Sequence, residues 1–297
     1  MRIFVTGATG FVGSAIVEQL LAQGDQVLGL ARSEASARQL RACGVQVQMG
    51  SLEDAESLQA GVRATDGVIH TAFIHDFSRF EASVEIDRRA IQIMGDVLVG
   101  SQRPFIVTSG TAMLPAGKRV TEQDKPTTTH PRHYSDLAAL ALAERGVCIS
   151  LVRLPPSVHG AGDHGFIPML IELARNNGVS VYIEDGANRW PAVQRADAAA
   201  LFCAAAEKAL TGASLHAVGE QGIPFRAIAS LIGEQLGVPV KSVSQAEAAS
   251  YLGWMAHFAA LDNPSSSQWT QEKLGWTPRG SGLLEEMRDA GYFRASQ

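Results

Sequence analysis

The sequence has few cysteines and no paired cysteine motif. Its three cysteines, Cys43, Cys148 and Cys203, are widely spaced and include no C-x-x-C pair. An odd, scattered set of this kind predicts neither a disulfide framework nor a zinc site. We therefore interpret the cysteines as buried, reduced thiols and expect no metal in the functional site.

The sequence also lacks an excess of positive charge and any long apolar run. The formal net charge is -5, and the 25 lysines and arginines are spread along the chain. This distribution argues against nucleic acid or an anionic membrane surface as the main partner. No uncharged stretch reaches the ~18–20 apolar residues that span a bilayer, and the first predicted strand follows Met1 too closely for a signal peptide. We expect a cytoplasmic protein that acts on a small-molecule substrate.

What is present is a regular alternation of short apolar runs and helical patterns. With 46% hydrophobic and 19% charged residues, the 297-residue chain has the composition of a globular enzyme. The alternation predicts an α/β fold, a doubly wound parallel sheet with helices on both faces. The predicted strands are Arg2–Thr6, Gln26–Ala31, Val45–Met49, Gly67–Thr71, Phe105–Thr108 and Val147–Arg153. The predicted helices of this half are Phe11–Gln23, Glu34–Ala42, Leu52–Ala60, Arg79–Val99 and Arg132–Arg145.

A glycine-rich stretch after the first predicted strand is the strongest functional signal. It separates the apolar run Ile3-Phe4-Val5 from an amphipathic segment that reaches Leu21. Glycine lets the backbone approach a pyrophosphate, and the helix that follows directs its free N–H groups and positive dipole end at the anion. We therefore predict a dinucleotide site whose first segment consists of Gly7, Thr9, Gly10, Phe11, Val12 and Gly13.

The end of the second predicted strand bears on which nicotinamide nucleotide is bound. A carboxylate there would accept hydrogen bonds from the ribose hydroxyls of NAD, but the chain has Arg32 and Ser33. A charge-assisted contact of Arg32 with a 2′-phosphate is worth about 1.5–3 kcal/mol, which predicts a roughly tenfold to hundredfold preference for NADP(H) over NAD(H). The alternative is that Arg32 is a solvated side chain at a strand end.

Further nucleotide contacts are expected where the later strands end. Small residues at the ends of the third and fourth predicted strands leave space for the dinucleotide at the carboxyl edge of the sheet. The contact residues predicted there and beyond are Ser51, Leu52, Thr71, Ala72, Phe73, Thr108, Pro155 and Pro156.

Four segments together resemble the extended and atypical short-chain dehydrogenase/reductases, the NAD(P)-dependent epimerase/dehydratase superfamily. They are residues 6–13, residues 105–111, residues 153–163, where His159 stands at a tyrosine position of the family, and residues 273–278. The resemblance covers nearly the whole chain. It implies a seven-stranded Rossmann-type sheet in residues 1–160 and a smaller substrate lobe in residues 161–297, partly interleaved with the core.

The second half of the sequence is compatible with such a lobe. Helical patterns cover Arg195–Leu210, Phe225–Leu236 and Gln245–Gly253, and Ser244 with Glu247 makes a capping box for the last of them. Trp190, Trp254 and Phe258 could line an apolar pocket or belong to the core. In many members of the family, two long helices corresponding to Arg79–Val99 and Arg132–Arg145 form a homodimer interface, although the alanines of the second could equally face the sheet.

The catalytic motif departs from the family pattern. The family uses a tyrosine, a lysine one helical turn later, and a serine or threonine. Here Tyr134 is followed four positions on by Ala138, and the other alignment places Arg132 at the tyrosine and Asp136 at the lysine. The candidate catalytic residues are Ser109 and Thr111 as oxygen ligands, Tyr134 as a proton donor, and His75, which follows the fourth strand, as its replacement.

Three functions remain open on the sequence alone. The first is an NADPH-dependent oxidoreductase with a degenerate active site that reduces a small, largely apolar carbonyl compound. A neutral tyrosine without its lysine is a poor base but can donate a proton to an alkoxide, which favours reduction over oxidation. The second is a sugar-nucleotide epimerase or dehydratase, and the third is a non-catalytic NADP-sensing protein.

Overall fold

A buried parallel sheet forms the centre of the computed structural model, which describes residues 1–76, 79–127, 130–289 and 291–294. The strands are β1 (Arg2–Thr6), β2 (Gln26–Ala31), β3 (Gln46–Met49), β4 (Gly67–His70), β5 (Phe105–Gly110), β6 (Ile149–Leu154), β7 (Ser157–His159), β8 (Ser180–Ile183), β9 (Arg189–Gln194), β10 (Ser214–His216), β11 (Glu220–Pro224) and β12 (Val240–Val243). Seven of them form one sheet in the order β10-β6-β5-β4-β1-β2-β3. Every paired neighbour in it is parallel.

Helices cover both faces of this sheet. The helices that pack on it include α1 (Phe11–Ala22), α2 (Glu34–Ala42), α3 (Ala55–Arg63), α4 (Phe80–Leu98), α5 (His133–Glu144) and α7 (Arg195–Lys208). The other helices are α6 (Phe166–Asn177), α8 (Phe225–Leu236), α9 (Ala248–Leu252), α10 (Ala256–Ala259), α11 (Gln268–Leu274) and α12 (Leu283–Asp289). The predicted α/β fold with a doubly wound parallel sheet is thereby confirmed.

The alternation of side chains along β1 explains why the sheet has two cores. Ile3 and Val5 point to one face and pack in a cluster with side chains of α1, α2 and α7. Phe4 points to the other face and packs with side chains of α3, α4 and α5. Since successive side chains of a strand alternate between faces, a strand buried on both sides is apolar throughout. All three side chains are fully buried.

A third hydrophobic cluster lies within residues 167–287 and has its own small sheets. The strands of the first are ordered β11-β9-β7, and β12 pairs with β8 in the second. Trp190 is completely buried in this cluster, whereas Trp254 is 48% exposed. The predicted capping box is confirmed: Ser244 N donates to Glu247 Oε2 at 3.0 Å, and Glu247 N donates to Ser244 Oγ at 3.3 Å, just before α9.

The expectation that all three cysteines are buried is wrong for Cys43. Cys43 caps the carboxyl end of α2 and is exposed to solvent, whereas Cys148 and Cys203 are buried. Burial raises the pKa of the Cys203 thiol to about 12, so this group is protonated at neutral pH.

Within the ranges of the chain that the structure describes, no helix is both long and apolar enough to cross a bilayer.

Candidate nucleotide and substrate site

The glycine turn lies at the carboxyl end of β1 and leads directly into α1. Gly7 has φ +70°, a conformation that favours glycine, and a Cβ on it would lie 2.7 Å from the backbone nitrogen of Ala72. A Cβ on Gly13 would lie 2.0 Å from the carbonyl oxygen of Gly7. Gly10 caps α1 without a side-chain hydrogen bond. Thr9, Phe11 and Val12 are half-buried around this turn, which has the compact shape of a phosphate cradle.

Arg195 holds the cradle in place from the first turn of α7. Its Nε donates to the carbonyl oxygen of Phe11 at 2.6 Å, and its Nη2 donates to Ser14 Oγ at 2.8 Å. The guanidinium also lies 5.0 Å from the centre of the Phe11 ring. Sequence analysis missed this residue, because nothing in the spacing of residues 11 and 195 shows that α1 packs against α7.

The ends of β2 and β3 lie on the same edge of the sheet. Arg32 is exposed, and it forms no ion pair with any residue that the structure describes. Ser33 caps α2, since its side chain accepts a hydrogen bond from Ser36 N at 3.2 Å. After β3, Ser51 is half-buried and Leu52 is buried. An unpaired arginine beside the N-terminus of a helix is suited to bind a phosphate.

The end of β4 packs closely against the glycine turn. Thr71 Oγ1 donates to the carbonyl oxygen of Thr6 at 2.8 Å, and Ala72 N donates to Thr6 Oγ1 at 3.3 Å. Thr108 Oγ1 ties β5 to β4 by donating to the carbonyl oxygen of His70 at 2.8 Å. Pro155 and Pro156 connect β6 to β7 farther along the sheet. The crevice between β1 and β4, where the direction of strand addition reverses, is the expected place for a dinucleotide in this kind of sheet.

The predicted oxygen ligands Ser109 and Thr111 are buried behind the crevice. Ser109 is 4% exposed and donates to Asp136 Oδ2 at 2.9 Å. Thr111 is fully buried, and its Oγ1 has no hydrogen-bond partner among the residues that the structure describes. Burial raises the pKa of the Asp136 carboxyl, while the hydrogen bond from Ser109 and the charge of Arg153 act against that rise.

Tyr134 lies on the outer face of α5. Tyr134 is 59% exposed, and in the described structure no hydrogen bond links it to Ser109 or Thr111. The buried positions of α5 include Ser135 and Asp136, which point inward. The catalytic role of Tyr134 therefore stays a prediction, and the structure does not bring it together with the predicted oxygen ligands.

A charged group that the sequence analysis noted only as an alignment partner lies at the crevice instead. Arg132, directly before α5, stacks its guanidinium 4.1 Å from the centre of the Phe73 ring. Its Nη2 lies 3.6 Å from Asp87 Oδ2 and donates to the carbonyl oxygen of Thr108 at 3.4 Å. Arg132 thus bridges the loop after β4 and the end of β5, at the mouth of the crevice.

Asp87, on α4, is the centre of a buried polar chain. Ser135 Oγ donates to Asp87 Oδ2 at 2.6 Å, and His70 Nε2 lies 3.1 Å from Asp87 Oδ1. On its other side, His70 Nδ1 lies 2.6 Å from Thr6 Oγ1. Burial opposes ionisation of Asp87, but the His70 hydrogen bond and the Arg132 charge outweigh it, so the pKa of this carboxyl lies below its ordinary value. Asp87 is therefore a carboxylate, and the chain connects Arg132 to the base of the glycine turn.

Histidines border the crevice from both halves of the chain. His75 follows β4 and is exposed, and its ring lies 5.2 Å from that of Phe73; partial desolvation together with the charges of Arg132 and His164 lowers its pKa. The His164 ring lies 5.7 Å from that of Phe11 in the cradle. His159 is 1% exposed, and burial lowers its pKa to about 4.

Two groups of aromatic rings lie near the loop after β4 and in the second half of the chain. In the first, Phe80 lies 6.0 Å from Phe73 and 6.1 Å from His130. In the second, Phe166 lies 4.8 Å from Phe258 and 6.1 Å from Trp254. Among the residues described, no group of three or more His, Cys, Asp or Glu side chains is arranged to hold a metal ion.

Comparisons with known proteins agree with this architecture. A sequence model described as the NAD dependent epimerase/dehydratase family matches residues 3–218. An uncharacterised protein of Schizosaccharomyces pombe is 51% identical over 295 residues, which are 99% of this chain and 100% of that protein. A 4-hydroxy-2-methyl-3-oxo-4-farnesyl-3,4-dihydroquinoline-1-oxide ketoreductase of Stigmatella aurantiaca is 29% identical over 187 residues, 59% of this chain and 55% of that enzyme.

The fold is also found among solved structures. The crystal structure of DesIV, a dTDP-glucose 4,6-dehydratase of Streptomyces venezuelae with NAD and TYD bound, superimposes with a TM-score of 0.79 at 22% identity. The match covers 99% of this chain and 97% of that one. At this level of identity, the likeness concerns the fold.

Proposed function

Because the chain belongs to the NAD dependent epimerase/dehydratase family, we propose that it is an NADPH-dependent reductase of a small, largely apolar carbonyl compound. The observation that carries the proposal is the composition of the crevice. One guanidinium, that of Arg132, stacks on the Phe73 ring, while the carboxyl groups of Asp87 and Asp136 are buried and accept hydrogen bonds from Ser135 and Ser109. The similarity to a ketoreductase supports the same direction of reaction.

The residues of the cradle fit a dinucleotide. The close approaches that a Cβ at Gly7 or Gly13 would make show that the turn needs glycine, and the free N–H groups of the first turn of α1 suit a pyrophosphate. Arg32 and the N-terminus of α2 would hold the 2′-phosphate of NADP(H), and Ser51 and Leu52 would border the adenine. When bound, NADPH supplies the hydride.

His75 is the proposed proton donor to the product alkoxide. It lies at the open end of the crevice beside Phe73 and within electrostatic reach of Arg132. The lowered pKa makes the His75 imidazolium a stronger acid but leaves it the minor form at neutral pH, so this role predicts a kcat that rises as the pH falls below neutrality. His164, across the crevice on the loop after β7, is the second group that could relay this proton from solvent.

The test is nucleotide consumption by the purified protein with benzaldehyde, acetophenone and cyclohexanone as carbonyl probes. We expect turnover with NADPH and a roughly tenfold to hundredfold lower kcat/KM with NADH. Nucleotide binding is measured on the same sample by calorimetry. Tight NADPH binding with no turnover of any probe would replace the proposal by a nucleotide-sensing role, and a preference for NADH would overturn the assignment of Arg32.

A further inference from the structure

Arg132 lies beside the loop after β4, which itself contacts the glycine turn. The side chain stands between Phe73, in the loop after β4, and Thr108, in β5, and 20% of it is accessible to solvent. The same loop after β4 touches the glycine turn through Ala72 and Thr71. A molecule bound between the glycine turn and the Phe73 ring would therefore contact this guanidinium.

We propose that Arg132 is a catalytic residue that binds the carbonyl oxygen of the substrate and stabilises the alkoxide formed from it, in place of the tyrosine used elsewhere in the family. The proposal rests on the reductase function proposed above. It goes beyond that function because it assigns the charge stabilisation to a residue that is neither a phenol nor a hydroxyl.

Among the residues that the structure describes, the polar contacts of the guanidinium involve only its Nη2 atom. Arginine has five N–H donors in a planar group. The Arg132 contacts with Thr108 and Asp87, at 3.4 and 3.6 Å, are long, and the planar group is oriented by stacking on Phe73. Fixed donors directed at developing negative charge are the usual means by which enzymes stabilise an oxyanion.

Asp87 does not depend on Arg132 for its hydrogen bonds. The short contact from Ser135, at 2.6 Å, and the contact with His70, at 3.1 Å, satisfy both carboxylate oxygens. Asp87 is thus a positioning residue that acts on Arg132 through its 3.6 Å contact with Nη2.

The reaction balances with these groups. The carbonyl carbon accepts the hydride with its two electrons, a C–H bond forms, and the π electrons of the C=O bond move to the oxygen beside Arg132. The substrate is reduced and NADPH is oxidised to NADP⁺. The alkoxide then takes a proton from the imidazolium of His75, which is recharged from solvent. The guanidinium keeps its protons throughout, because it acts here only as a hydrogen-bond donor.

The decisive experiment separates catalysis from neutralisation of Asp87. Arg132→Met alone would leave a buried carboxylate without its cation, so Arg132→Met is combined with Asp87→Asn, which removes both charges. We expect the double variant to bind NADPH as the unmodified protein does and to lose at least about a hundredfold in kcat on the carbonyl probes. The proposal would be overturned if the double variant kept the kcat of the unmodified protein, or if only its KM rose.

A matched pair on the same two helices controls for the loss of an ion pair. Arg145 Nη1 lies 2.7 Å from Asp96 Oδ1 on the exposed surface of α4 and α5. Arg145→Met combined with Asp96→Asn repeats the same chemical changes away from the crevice, and we expect its kcat to equal that of the unmodified protein. A comparable loss in this control would also overturn the proposal.

A binding measurement keeps the test independent of turnover. Benzoate carries an oxyanion on an aromatic ring, so it should bind the NADP⁺-saturated protein and should not bind the Arg132→Met/Asp87→Asn variant. If no carbonyl probe is reduced but benzoate binding depends on Arg132, the reductase function fails and the oxyanion site stands. If benzoate does not bind the unmodified protein, the role of Arg132 is overturned.

Discussion

Arg32 is the residue on which the choice of nucleotide is expected to depend. It is exposed beside the capped N-terminus of α2, with no ion pair to the described residues. Replacing it in Arg32→Ala should raise the Kd for NADPH roughly tenfold to hundredfold and leave the Kd for NADH unchanged, because only NADPH carries the 2′-phosphate. Titration calorimetry with both nucleotides measures the two constants.

The control for this variant is Arg63→Ala. Arg63 ends α3 and precedes β4, so it lies at the amino edge of the sheet, away from the nucleotide crevice, where its Nη2 donates to Gln59 Oε1 at 3.0 Å. Its removal changes the net charge by the same amount. An equal loss of NADPH affinity in both variants would show a general effect of charge instead of a phosphate contact.

Tyr134 provides the second prediction at this scale. If Arg132 binds the substrate oxygen, Tyr134→Phe should keep the kcat of the unmodified protein, because the phenol is on the exposed face of α5. Steady-state rates with the carbonyl probes at saturating NADPH measure this. A strong loss of kcat with unchanged NADPH affinity would instead restore the tyrosine mechanism that the sequence suggests.

Individual residues of the site differ in how far the sequence could predict them. The glycines could be predicted because their reason is local: the turn joins a strand to a helix within a few residues. Arg132 and Asp87 could not, because their contact depends on how α4 packs against α5. Tyr134 was named because of its chemistry, and only the rotation of α5 about its axis shows that it points outward.

Among the elements, the strand–turn–helix unit of β1 and α1 tolerates the least change. In Gly13→Ala the new methyl group would meet the Gly7 carbonyl oxygen at 2.0 Å and Thr71 Oγ1 at 3.0 Å. Because backbone cannot move aside cheaply, we expect a loss of about 1–3 kcal/mol in the free energy of unfolding, together with weaker NADPH binding. Urea unfolding and calorimetry measure the two effects.

Gly219→Ala is the matched control. Its Cβ would meet Pro278 Cβ at 3.4 Å, an ordinary contact, and the φ of Gly219 lies outside the left-handed region. This variant should unfold within about 0.5 kcal/mol of the unmodified protein, as most substitutions without a specific clash do. Equal destabilisation of the two variants would show that the crowding at Gly13 has no special effect.

Element boundaries show where sequence patterns lose information. All six predicted strands exist, but helix α3 begins at Ala55 and not at Leu52, because the Asp54 side chain accepts from the backbone N–H groups of Glu56 and Ser57. The helix α6 was not predicted. Pro168 lies in its first turn, where a missing N–H has no cost, although a proline in the sequence usually indicates a break. The short strands β7 and β10, of three residues each, carry too few side chains for a pattern.

At the scale of the whole molecule, buried histidines make the fold sensitive to acid. Burial lowers the pKa of His159 and of His216 to about 4, with Arg153 also acting on His216. The unfolded chain therefore binds protons below about pH 6.5 that the folded protein does not bind until about pH 4. The contribution of the two neutral histidines to the free energy of unfolding is complete above about pH 6.5 and is lost as the pH falls toward about 4.

His159→Leu isolates one of these contributions. His159 is 1% exposed, its Nδ1 has no hydrogen-bond partner in the described part of the chain, and Asp197 is the charge that acts on it. Since one pKa unit corresponds to about 1.4 kcal/mol, protonation in the unfolded chain alone costs the unmodified protein about 3 kcal/mol near pH 4. As the pH falls from about 7 to about 4, the free energy of unfolding of the variant should rise by this amount relative to that of the unmodified protein. Urea unfolding of the two proteins is compared at each pH, so that the contributions of the other titrating groups cancel. If the difference between their free energies of unfolding stayed constant with pH, His159 would not be held neutral by the fold.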